Sequence, residues 1–232
     1  MKFSILCPTR NRVSGAVRLA NSIHETAHDK KCFEVWFYVD SDDPKRAEYE
    51  QKIGKAGNSQ VRLIVGPRES VSRTWNVAAK HCTGDVLLMG NDDLIYRTPG
   101  WDAVLERHLK QFTDDVYVAW FNDGINGASH CAFPIVSRKW YETLGYFTPG
   151  VFQFLFNDTW IMDVGRKVNR LHYIDEVLTE HMHHSVGKME ADQTTKEARE
   201  NNMQMIDQQI YDEMENIRVK HAEKIKGIMN IV

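Results

Sequence analysis

Asp92 and Asp93 follow Val86-Leu87-Leu88-Met89-Gly90-Asn91, so two adjacent carboxylates stand at the carboxyl end of a short apolar run. A run of this length reads as a buried strand, and the glycine and the asparagine end it. Side by side in that place the carboxylates repel each other and lose hydration, a cost that a hard cation such as Mg²⁺ or Mn²⁺ compensates. The competing reading is a solvated acidic turn. Glu180-His181-Met182-His183-His184 holds three histidines in four residues. In an extended chain His181 and His183 share a face while His184 points the other way, so at most one pair can meet a cation together. Asn157-Asp158 opens a helical pattern, where an acid is also explained as an N-cap or first-turn residue.

The elements that must carry these groups alternate. Lys2 to Cys7 reads as a strand that ends in the loop Pro8-Thr9-Arg10-Asn11-Arg12, and Val13, Val17, Ala20 and Ile23 continue at helical spacing. Phe33 to Val39 is a second strand, rich in aromatic and β-branched residues, stopped by Asp40-Ser41-Asp42-Asp43-Pro44. Ala47 to Ile53 suits a short helix, Val61 to Val65 a strand, and Ser72 to Cys82 a helix that Gly84 would terminate. Further on, Thr98 would cap and Pro99 open a helix bearing Trp101, Leu105 and His108, with His108 as a packed or surface side chain. Val116 to Phe121, Ala132 to Val136 and Leu171 to Ile174 read as strands, and Ser137 to Leu144 and the stretch from Asn157 as helices. Such alternation predicts a parallel sheet with right-handed crossovers and a ligand crevice outside the carboxyl ends of its strands. The loops 8–12, 40–43 and 91–93 would share that edge.

The chain has 232 residues, 42% hydrophobic and 26% charged, which suits one large domain with a tail. A net charge of -3 supplies no field for polyanions, although Arg138, Lys139, Arg166, Lys167 and Arg170 could form a local basic patch. No apolar run reaches the roughly 18 residues a membrane span needs, so a soluble cytoplasmic protein is expected. Cys7, Cys32, Cys82 and Cys131 lack metal or disulfide spacing. The composition shifts near residue 188, after which Met203, Ile206, Ile210, Met214 and Ile217 recur at helical intervals. That amphipathic helix would dock on the main domain or on a second copy, giving a homodimer.

The order of parts over residues 2–184 resembles the GT-A glycosyltransferases of the family-2 type, which use nucleotide-diphosphate sugars. Pro8-Thr9-Arg10-Asn11-Arg12 looks like that family's first loop, Asp40 stands where it places an acid on the nucleotide base, and Asn76 followed by Gly84-Asp85 matches the approach to its Asp-x-Asp region. Asn91-Asp92-Asp93 is similar to that region, and Asn157-Asp158 to its later Glu-Asp pair. Asn91 and Asn157 depart from the family pattern by replacing acids, and the Gln-x-x-Arg-Trp motif of polymer synthases is missing.

The resemblance implies an α/β GT-A fold, a Rossmann-like, mixed and mostly parallel sheet flanked by helices, to which the stretch past residue 188 adds a C-terminal amphipathic helical tail. It implies a catalytic domain over 1–188, split into a nucleotide-sugar half (1–97) and an acceptor half (98–188), and the composition shift leaves a helical extension over 189–232. The implied activity is metal-dependent, inverting and non-processive transfer of a hexose or pentose from a donor such as a UDP-sugar to an acceptor hydroxyl. A saccharide is the foremost acceptor, and a modified DNA base is another. By the same resemblance Asp158 is the general base. Asp93 with His181 or His183, His183 preferred, would hold Mn²⁺ or Mg²⁺. Asn91 and Asp92 would touch the donor, as would Pro8, Thr9, Arg10, Asp40, Arg73 and Asn76, and Lys188 is a further phosphate candidate. Two rivals remain at this point: a non-catalytic nucleotide- or carbohydrate-binding module on the same scaffold, and a nucleotidyltransferase, although the loop after the first strand lacks glycines.

Overall fold

The computed structural model describes residues 1–54, 60–188, 190, 196–197 and 200–230. Its centre is four parallel strands, β1 (Phe3–Thr9), β2 (Phe33–Asp40), β3 (Val61–Gly66) and β4 (Val86–Met89). The central ones are apolar on both faces because both faces are covered. Phe3, Ile5 and Cys7 of β1 join a core with Val13, Ala16 and Leu19 of α1 (Val13–Thr26), whereas Leu6 faces a second core with Trp75, Ala78 and Ala79 of α3 (Val71–His81). A short α2 (Arg46–Tyr49) lies between β2 and β3 in the chain.

The sheet continues through β5 (Leu94–Tyr96), β6 (Val118–Asn122), β7 (Ile135–Ser137) and β8 (Leu171–His181), in the spatial order β3-β2-β1-β4-β7-β6-β8-β5. β7 runs antiparallel to β4 and β6, β8 runs parallel to β6, and β5 is antiparallel to β8. The mixed, mostly parallel sheet and its flanking helices α4 (Trp101–Leu109), α5 (Arg138–Leu144) and α6 (Asn157–Lys167) agree with the fold expected from sequence.

Local differences have physical causes. β8 does not stop at Ile174: a register shift beside Phe121 and Asn122 lets it leave β6 and pair with β5 as far as His181. The exposed Asp175 and Glu176 hide that continuation from a hydrophobicity reading. Helix α3 ends without help from Gly84, since the Cys82 N–H donates to Ala78. Gly84 is needed for packing instead, because a Cβ there would collide with the Ser4 hydroxyl and the Lys2 carbonyl. Helix α4 is capped by Gly100 in a left-handed conformation (φ 74°), and the Thr98 hydroxyl accepts the Leu178 N–H at 2.9 Å rather than capping it.

The tail forms α7 (Met203–Glu213) and α8 (Glu215–Lys226). The expected extension over 189–232 lies partly outside the described residues. Where it is described, Ile210, Met214, Ile217, Ala222 and Ile225 pack into the second core, while Ile206 of the same stripe is 47% exposed. Arg218 of α8, 4% exposed, donates to Asp163 of α6 at 2.8 Å and lies over the Trp160 and Tyr211 rings. Among the described residues no helix is long and apolar enough to cross a membrane.

Candidate functional site

The carboxyl ends of β1, β2 and β4 open onto a cleft of about 720 Å³, the size of a small-molecule site. Loops 8–12, 40–43 and 91–93 meet there as the alternation of elements requires. Arg10 donates to Asp40 at 2.9 Å and to Asp42 at 2.6 Å. Burial raises the Asp40 carboxyl above its ordinary range, and the Arg10 hydrogen bond offsets only part of that rise. Asn11 takes a left-handed conformation (φ 58°), with its N–H donating to Asp43 at 2.7 Å.

Asp92 braces this arrangement. Its two oxygens accept from Thr9 Oγ1 at 2.6 Å and from the Arg12 guanidinium at 2.9 Å. Burial pushes its carboxyl up to about 6, with Arg12 opposing and Asp93 adding to the rise. Tyr49, which sequence reasoning missed, accepts the Arg12 N–H at 2.8 Å and shares a 2.8 Å hydrogen bond with Thr9. Gly15 was missed too: a Cβ there would stand 2.5 Å from the Asp92 carbonyl, so only glycine lets α1 approach this turn.

Asp93 points elsewhere. The β5–β8 pairing sets Leu94 opposite His181, which brings His181 Nε2 to 3.3 Å from Asp93 Oδ2. That separation is within ion-pair range but lacks hydrogen-bond alignment, and Asp93 Oδ1 and both His181 nitrogens are buried with no hydrogen-bond partner. A buried carboxylate oxygen and imidazole nitrogens left unsatisfied on neighbouring side chains fit a divalent cation. Among the described residues no group of three or more His, Cys, Asp or Glu is arranged to hold a metal.

His183, preferred from sequence, instead bonds its Nδ1 to the Ser185 hydroxyl at 2.7 Å, although its ring lies 4.9 Å from that of His181. The parity expectation for His184 fails because β8 ends at His181 and a 3₁₀ turn begins at His184, so all three imidazoles line the cleft.

In the same cleft, α6 presents Asp158 in its first turn. One oxygen accepts the Thr159 N–H at 2.7 Å, and the other lies 2.8 Å from Nε2 of His130. The hydrogen bond to Asp158 raises His130, against the desolvation that would lower it. Nothing in the sequence around His130 singled it out, since its partner is 28 residues away. Asn157 is 2% exposed and its Oδ1 has no hydrogen-bond partner.

Pro8, Thr9, Arg10, Asp40, Arg73, Asn91, Asp92, Asp93, Asp158, His181 and His183 all line the cleft. Asn76 lies outside this lining: its amide bonds the backbone of Phe147 and Thr148 and fastens that loop. Lys188 pairs with Glu180 at 2.8 Å away from the lining. Of the basic residues that could form a patch, Arg138 donates to the carbonyls of Cys82 and Gly84, Lys139 to those of Asp114 and Ile228, Lys167 lies near Asp163 and Arg170 pairs with Asp114, while Arg166 is exposed and 3.9 Å from Asp163.

Residues 4–165 match the sequence model of glycosyl transferase family 2. In fold the chain is similar to Staphylococcus aureus TarS 1-349, with a TM-score of 0.62 at 16% identity over 78% of this chain and 60% of that one. The same protein in complex with UDP-GlcNAc gives 0.62 at 15% identity over 77% and 57%. The mannosyltransferase PcManGT from Pyrobaculum calidifontis, in complex with GDP-Man and Mn²⁺, gives 0.60 at 15% identity over 78% and 56%. At such identities the likeness shows a shared GT-A fold, and this chain spans at most 60% of the length of these proteins. No curated protein matches it in sequence.

Proposed function

The chain belongs to glycosyl transferase family 2, and from that premise we propose that it is a metal-dependent, inverting, non-processive transferase that moves a sugar from a nucleoside-diphosphate donor to an acceptor hydroxyl. The observation that carries this reading is one cleft lined both by the unsatisfied Asp93–His181 pair and by Asp158. Residues 1–97 would supply most of the donor side and 98–188 the acceptor side, with His181 crossing over through β8.

Asp93 and His181 would hold Mn²⁺ or Mg²⁺, which when bound offsets charge developing on the departing diphosphate. Arg10 and Asp40 would flank the base, and Arg73 would stand at the rim, where its guanidinium is exposed. Asp158 would take the proton of the attacking hydroxyl, and His130 holds its carboxylate in place meanwhile. Asp92 is assigned to bracing the loop, because its side chain is 2% exposed against 26% for Asp158 and is held by Thr9 and Arg12. The saccharide acceptor remains the preferred one, since four of the five basic residues that would favour nucleic acid have partners within the chain.

UDP-GlcNAc and GDP-mannose, the donors of the similar structures, are the first probes. Titration of UDP and GDP into the protein with and without Mn²⁺ should show metal-dependent binding, and one of the sugar nucleotides should be slowly consumed. Binding of neither nucleotide under either condition would sink the reading.

A further inference from the structure

Asp207 lies on α7, a helix whose other described polar residues are largely in solvent, yet its own exposure is 0%. A carboxylate withdrawn so far from water needs hydrogen bonds to replace its hydration. Three consecutive backbone amides provide them: the N–H groups of Gln153, Phe154 and Leu155 each donate to it at 2.8 Å. Successive amides converging on one anion form a backbone nest, here closed by a side chain of the same chain.

The clasped tripeptide is part of the cleft wall. Its first residue is also held from the opposite side, where the Gln153 carbonyl accepts the Val71 N–H at 3.2 Å. Directly after it, Phe156 turns through a left-handed conformation (φ 64°) into Asn157 and Asp158. The path of the wall therefore sets where α6 begins and where Asp158 is aimed. The family match ends at residue 165, so the clasp comes from outside the matched region.

We propose that Asp207 is a positioning residue, through which the C-terminal helix pair fixes the acceptor-side wall Gln153–Leu155 and the approach of Asp158. This rests on the glycosyltransferase reading above. Donor binding, built on loops 8–12, 40–43 and 91–93, does not depend on the clasp.

The test compares the full chain with Asp207→Asn, which keeps the volume but offers one acceptor oxygen and an NH₂ group to three donors. Asp207→Ser serves if the asparagine variant does not fold. Hydrogen exchange at the amides of 153–155 should accelerate at least tenfold while β1 and α1 are unchanged. The affinity for UDP with Mn²⁺ should stay within twofold, and turnover of the consumed sugar nucleotide should fall at least tenfold in kcat with donor KM within twofold. Unchanged protection at 153–155, unchanged kcat, or UDP affinity falling in step with kcat would each overturn the proposal. Failure of the wild type to bind either UDP or GDP would strike the glycosyltransferase reading instead, while the exchange comparison still decides whether Asp207 holds the wall.

Discussion

Nε2 of His130 and Oδ2 of Asp158 stand 2.8 Å apart, joining the loop before β7 to the first turn of α6. The bond raises the folded-state pKa of His130 above its unfolded value. A raised histidine contributes stability that is complete below the unfolded pKa and lost as pH rises through the folded one. Melting temperature should therefore fall from near the ordinary imidazole value upward, by more in the wild type than in His130→Gln. Parallel pH profiles would remove the ion pair as the cause.

Asp158→Asn should keep Mn²⁺-dependent nucleotide binding and lose about 10²–10⁴-fold in transfer rate, the usual worth of general-base help. Steady-state kinetics with a sugar nucleotide measure this. A rate near wild type would move the base elsewhere.

Asp93→Ala should abolish the Mn²⁺ dependence of UDP binding in calorimetry. His181→Ala should weaken it by roughly tenfold or more, on the scale of lost metal-site support. His183→Ala should cost less, because it is His181 whose ring stands within ion-pair range of Asp93. The opposite order of the two histidine variants would restore His183 as the ligand.

Arg12→Ala strips a charge partner from the buried Asp92 carboxylate and should cost about 3 kcal/mol in denaturant unfolding. Arg73→Ala gives the contrast. Its pair with Glu69 is exposed, and its loss should cost less than about 1 kcal/mol.

Arg218→Ala should lower the unfolding midpoint by the equivalent of about 3 kcal/mol with little change in slope, because it leaves Asp163 without its buried partner. A separate early transition for the tail would show instead that α7 and α8 fold independently of the domain.

Much of the fold was legible in the chain. Buried runs such as Val86–Met89 and aromatic strands such as Phe33–Val39 announce themselves by composition, and the polar loops after them fall at one sheet edge by topology alone. The resemblance in motif order nominated Asp93, Asp158 and the histidine group, and all of them line the cleft. It also nominated Asn76, whose amide turned out to serve the 147–148 loop, because a motif position carries no record of which way a side chain is used.

What the sequence by itself determined is therefore the set of elements and the edge where their loops collect, since periodicity and turn chemistry are local properties. Which groups face one another was decided only by tertiary structure. The passage of β8 past Ile174 to β5 chose His181 for Asp93, the β6–β7 loop brought His130 to Asp158, and the folding back of the tail buried Asp207 behind the cleft. Each pairing joins residues far apart in the chain, and its geometry depends on strand register and helix docking, which no local pattern encodes.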